Sequence, residues 1–168
     1  PKLSGTLTTI RIENSEVVLP NIEEATHISV SKGALLLLPN ITVVKSYIHI
    51  SNASTLMMPE VDFISGDIEL QKGSSIYANK LVNIGGNLLI GSANYKNAAD
   101  GKTLLPKIEL GYLTDVKGGI SINNPTPIEL PELEIVKGKL NVLSKLSLPS
   151  IIELSNGFNT NPGLLTLR

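Results

Sequence analysis

The 168-residue chain contains no cysteine, and aromatic residues make up only 4% of it. The first absence removes disulfides, thiolate chemistry and cysteine-ligated metals together, and leaves the redox compartment open. The second points to a core of layered aliphatics, because Leu, Ile and Val carry nearly all of the 42% hydrophobic content. Neither sign of charge dominates: fourteen basic side chains face fifteen acidic ones, without clusters, so nucleic acid is not an expected partner. The longest apolar run, 34–39, falls far short of the roughly 20 residues that cross a bilayer, and no membrane-spanning segment is expected. With only His27 and His49, no third histidine completes a zinc site of the usual kind. The chain starts at Pro1 without methionine, leader or lipidation motif, and reads as a mature or trimmed fragment.

Against these absences stands a repeat. Ile28, Ile48, Ile68 and Leu88 recur every twenty residues, each followed two positions later by Val30, Ile50, Leu70 or Ile90. Prolines at 20, 39, 59, 106, 131 and 149 mark a corner in each unit. The units span 5–26, 27–46, 47–66, 67–86, 87–118, 119–138 and 139–156, about seven rungs in a single domain over 1–168, with a short remnant after them. Each rung opens with a period-two strand, as in Ile48-His49-Ile50. A small turn follows, and then a second alternating strand whose inward pair is Leu36/Leu38, Leu56/Met58 or Ile76/Ala78. After the corner an aliphatic-x-x-aliphatic step (Ile41 and Val44, Val61 and Ile64) leads to a closing glycine at 66, 86, 118 or 138, expected where positive φ is needed.

One rung cannot fold alone. About six inward aliphatics, at ~1.5–3 kcal/mol each, face a backbone entropy cost of ~1–2 kcal/mol per residue. Stacked rungs share ladders and make up the deficit. The expected fold is therefore all-β, a parallel β-helix or solenoid. A helix on the third side is disfavoured by its leading proline and short length.

The segment Leu81-Val82-Asn83-Ile84-Gly85-Gly86-Asn87-Leu88-Leu89-Ile90, echoed at 133–142, resembles the receptor L-domain pattern L-x-x-I-x-G-x-L-x-I. The aliphatic-Pro step of Leu130-Pro131-Glu132-Leu133 and Leu148-Pro149-Ser150-Ile151 is most similar to the fungal cell-wall branch of that group, the GPI-anchored sporulation and wall-organisation proteins. The resemblance covers nearly the whole chain and implies a leucine-rich-like, right-handed β-helix. It also implies a structural or recognitive role at the cell surface or wall, and supplies no catalytic residues. Sequons at Asn40-Ile41-Thr42 and Asn52-Ala53-Ser54 agree with an extracellular glycoprotein, whereas Asn124-Pro125-Thr126 is blocked by its proline.

Three surface features carry candidate chemistry. The outward middle column of the first strand reads Arg11, Ser29, His49, Glu69, Leu89, Ser121, Asn141, and the column before it includes His27, Tyr47, Asp67 and Asn87. His49, Asp67 and Glu69 approach one another there, in reach of general acid/base work or a cation, although a solvated polar face explains them too. The paired glycines 85–86 and 118–119 lack a following helix and the P-loop lysine, and are turn glycines. The outward column of the second strand reads Val18, Leu37, Met57, Tyr77 and Leu104 before turning polar at Glu129 and Ser147, an apolar stripe fit for a partner or for intrachain cover. The rung between Ile90 and Pro106 is lengthened by 92–102, and the turn at 111–114 is expected to be enlarged as well. Asn94, Tyr95, Asn97 and Asp100 in that insertion suit sugar stacking and hydrogen bonding.

The expected function is a non-enzymatic surface or wall module, without cofactor, that displays a rigid solenoid to protein or glycan. Its alternatives are a carbohydrate-active enzyme using His49, Asp67 and Glu69, and a domain that self-associates through the stripe.

Overall fold

The computed structural model describes residues 5–91, 95–96, 103–104, 107–123, 127–143, 145–160 and 165–167. The chain winds into an all-β solenoid of about seven turns with a period of about 20 residues, and no helix occurs among the described residues. Period-two alternation sends every second side chain into the tube. Ile28, Ile48, Ile68, Leu88, Ile120 and Leu140 consequently stack in one column on the first face, in parallel register. Leu36, Leu56 and Ile76 do the same on the second face, and Ala25, Val44, Ile64, Ile84, Val116 and Val136 on the third. All of these side chains are buried. The third side, where the sequence predicts an extended or one-turn connection, carries a two-residue strand in most rungs, as at Val43–Val44 and Phe63–Ile64. The residues after 156 begin an eighth coil: Phe158–Thr160 and Leu165–Leu167 pair with the strands of rung seven.

Local chemistry sets each bend. At the corner after the second strand, Val61 N–H donates to Met58 C=O (3.4 Å) and Leu133 N–H to Leu130 C=O (3.3 Å), closing four-residue turns with Pro59 and Pro131 second, where a fixed φ suits the turn. Between first and second strands the chain reverses through paired left-handed residues. These are Lys32 and Gly33 (φ +58° and +75°), Asn52 and Ala53 (+55° and +60°), and Lys72 and Gly73 (+52° and +73°). Buried serines finish that bend: Ser54 Oγ donates to Ser51 C=O (2.7 Å) and accepts from Ala34 N–H (3.2 Å). Ala53 is the odd member, because its Cβ makes the left-handed conformation costly. Ala53→Gly should raise unfolding free energy by about 0.5–1 kcal/mol, the relief being partly offset by glycine's extra unfolded-state entropy. A chemical denaturation midpoint checks it, and a lower midpoint would contradict the strain.

The structure corrects several expectations of the repeat. Gly66, Gly86, Gly118 and Gly138 do not adopt positive φ; they are small because corner backbones stack directly on one another. A Cβ on Gly66 would lie 2.5 Å from Ser46 O. Secondly, the corner of rung five is at Gly111 and not at Pro106, which lies outside the described residues. Ile108 pairs with Ile76 and Glu109 with Tyr77, and Leu113 N–H donates to Leu110 C=O (3.3 Å) as in the other corners. Residues 111–114 therefore form an ordinary corner, and all the extra length falls between Gly91 and Lys107. Lastly, Leu104 belongs to that insertion, where its backbone pairs antiparallel with Tyr95, so it is no part of the second face.

That second face is interrupted. Its strands form one ladder from Glu16–Val18 to Ile108–Glu109 and a separate one from Ile128–Glu129 onward. Pro127, without an N–H, stands where Thr55 and Ser75 donate to the preceding rung. The gap opens a cleft of about 370 Å³ lined by Ile108, Glu109, Pro127 and Ile128.

Candidate functional site

The first face presents its outward column as the sequence spacing predicts: Arg11, Ser29, His49, Glu69, Leu89, Ser121 and Asn141 are register partners in succession, and Asn159 extends the series. Parallel pairing puts the same position of neighbouring rungs side by side. His49 Nδ1 thus lies 2.9 Å from Glu69 Oε2. Gln71 Nε2 donates to Glu69 Oε1 from the same rung, so the carboxylate is held at both oxygens. Asp67 does not join them. Its Oδ1 accepts from Asn87 N–H (2.6 Å) and Asn87 Nδ2 (3.0 Å), and Asn87 Oδ1 in turn accepts from Gly119 N–H (2.7 Å). This polar series links the starts of the fourth, fifth and sixth rungs, leaving a histidine–carboxylate pair in place of the expected trio. His27 packs on Tyr47, ring centroids 4.7 Å apart, and is register-matched to Thr9, away from His49. Among the described residues no cluster of three or more His, Cys, Asp or Glu side chains suits a metal ion.

At the N-terminal end of this face Glu13 receives Lys32 Nζ (2.5 Å) and Arg11 Nη2 (2.7 Å). Hydrogen bonds from Lys32 and then Arg11 hold its carboxyl down at about 2.

The second face carries the apolar stripe over four rungs. Val18, Leu37, Met57 and Tyr77 are successive register partners, and Glu109 takes the fifth place assigned to Leu104. Val18, on the first strand of the ladder, is 51% exposed, and the other three are half-buried. Lys107 ends the stripe: its Nζ sits 2.7 Å from Glu109 Oε1 and 5.3 Å from the Tyr77 ring centroid.

Both sequons lie at bends. Asn40 is exposed at a corner, with Nδ2 donating to Pro20 C=O at 2.6 Å. Asn52 has φ +55°, and the Ser54 of its triplet is buried in the serine series described above. In the insertion, Tyr95–Lys96 and Thr103–Leu104 form a two-stranded antiparallel ladder; Asn94, Asn97 and Asp100 lie outside the described residues. Beside the root of that insertion a cleft of about 320 Å³ is lined by Glu69, Gln71, Leu89, Gly91, Ser121 and Asn123. Sequence reasoning missed it as a unit. Its signal was Gly91, a bare position in a column of Ser51, Gln71 and Asn123.

No family model, curated protein or solved structure matches this chain. No described helix is long and apolar enough to cross a membrane.

Proposed function

We propose that this chain is a non-enzymatic binding module of the cell surface or cell wall, and that it holds a protein or glycan partner against a rigid solenoid. The observation that carries the reading is the stripe Val18, Leu37, Met57 and Tyr77, four apolar side chains aligned across one sheet face. Nothing in the inward packing requires apolar residues there, since the buried alternates Leu36, Leu56 and Ile76 already fill the tube. Polarizable Met57 and amphipathic Tyr77 adapt to varied surfaces. The surface or wall setting rests on the resemblance of 81–90 and 133–142 to receptor L-domains and their fungal wall branch, which would include a GPI anchor and glycans at Asn40 and Asn52.

The test is a protein and glycan array probed with wild type and with a Leu37→Asp, Met57→Asp double variant, alongside light scattering. Loss of captured partners at unchanged melting temperature supports the reading, and equal capture by both proteins refutes the stripe as the contact. A wild-type oligomer that becomes monomeric in the variant would make a second copy the partner. The enzymatic alternative draws on His49 beside Glu69. It requires turnover on a glycan panel that His49→Ala and Glu69→Gln abolish.

A further inference from the structure

We propose that the notch at Gly91 is a subsite for one neutral sugar residue, separate from the apolar stripe and independent of the function proposed above.

The notch exists because Gly91 has no side chain where the rungs on either side carry Gln71 and Asn123. Their positions are equivalent: Gln71 N–H donates to Ile50 C=O, Gly91 N–H to Leu70 C=O (2.7 Å) and Asn123 N–H to Ile90 C=O (2.7 Å). The corner glycines are dictated by backbone contact, but Gly91 is not. Its φ is ordinary, and a Cβ would lie 3.3 Å from Leu70 O and 3.5 Å from Gln71 Cγ, tight against backbone but well short of the 2.5 Å overlap at Gly66 and Gly118. The neighbouring rungs carry a side chain at this position, and here the sequence supplies none.

What surrounds the gap defines the ligand. The floor is Leu89, the one hydrocarbon in an outward column otherwise made of Arg11, Ser29, His49, Glu69, Ser121, Asn141 and Asn159. An apolar floor ringed by an acid, two amides and a hydroxyl matches a sugar ring, with its C–H face down and its hydroxyls outward. Glu69 is pre-oriented by His49 and Gln71, and each of its oxygens keeps a lone pair for a hydroxyl donor. The carboxylate disfavours anionic sugars, while Lys72 on the rim balances its charge and disfavours cationic ones. A neutral residue of a glycan is what remains.

The test titrates the isotope-labelled protein with the methyl glycosides of glucose, mannose, galactose and N-acetylglucosamine, with glucuronate and glucosamine as charged controls. At least one neutral glycoside should shift the Gly91, Ser121 and Asn123 amides with an affinity on the order of 1–10 mM, as suits a single-sugar contact. Gly91→Gln should weaken that binding at least about tenfold while the melting curve holds. Should Gly91→Gln melt early, Gly91→Ser, which copies Ser51 of the same column, takes its place. The proposal fails if no neutral glycoside moves these amides at about 50 mM, if the charged controls bind as well as the neutral sugars, or if the filled variants bind like wild type. None of these results bears on partner capture by the stripe, so the two readings stand or fall separately.

Discussion

Gly118→Ala should destabilise the protein by about 3 kcal/mol, near the top of what overpacking costs, although it adds a single methyl group at a position with ordinary φ. The added Cβ would lie 2.5 Å from Gly86 O and 2.6 Å from both Gly86 C and Asn87 Oδ1. Two of those atoms are backbone of the rung beneath, and the third accepts the Gly119 N–H bond (2.7 Å) that closes the corner. None can withdraw without breaking the register of rungs four and five. Relief would have to come from separating the coils, which weakens the ladders on both adjoining faces. Gly91→Ala serves as the comparison: its Cβ would meet Leu70 O at 3.3 Å, a tight contact but no overlap, and a cost of about 1 kcal/mol or less is expected. Urea unfolding of both variants measures the contrast. Equal midpoints would show that corner glycines are not set by contact.

Ile48→Ala should cost about 4 kcal/mol, in the upper part of the range for buried isoleucine truncation. Ile48 is wholly buried, with Ile28 and Ile68 as its register neighbours. The cavity cannot collapse, because the backbone is pinned from both sides: Ile28 N–H donates to Tyr47 C=O (3.2 Å) and Ile48 N–H to Asp67 C=O (2.9 Å). Phe158→Ala occupies the same column in the last coil, where the ring is 57% exposed. It removes a larger side chain yet should cost about 1 kcal/mol or less, since burial and not size sets the penalty. A thermal or denaturant series that ranks Phe158→Ala above Ile48→Ala would overturn this account of the tube's interior.

Much of this architecture was legible because its repeat is short and its inward residues, Met58 and Phe158 apart, are aliphatic. The column from Ile28 to Leu140 could be written down from spacing alone, and so could the outward column that brings His49 against Glu69. The errors have physical causes. Leu105-Pro106 imitates the aliphatic-Pro corner and lies inside the insertion, so the repeat pattern places the corner of the fifth rung about five residues before its true position at Gly111. Ile108 and Leu110, the true inward pair, precede a glycine corner that carries no proline signal. The closing glycines were credited with positive φ because that is glycine's local advantage, whereas close approach of Gly118 to Gly86 depends on residues thirty-two positions away. Asp67 was grouped with Glu69 by proximity along the strand. Its carboxylate turns instead to the Asn87 amide on the next rung, a choice of direction that spacing along the chain does not encode.

The break beside Pro127 gives the molecule a mechanical asymmetry. The first and third faces of the tube run without a seam past rungs five and six, and the second face parts there. Under tension along the axis, rupture should start at that seam, because hydrogen bonds absent from one wall leave the other two to bear the load. Bending should likewise concentrate there, tilting the plate that bears Val18, Leu37, Met57 and Tyr77 relative to the coils beyond it. The solenoid should therefore yield at that seam before it yields anywhere along the two continuous walls.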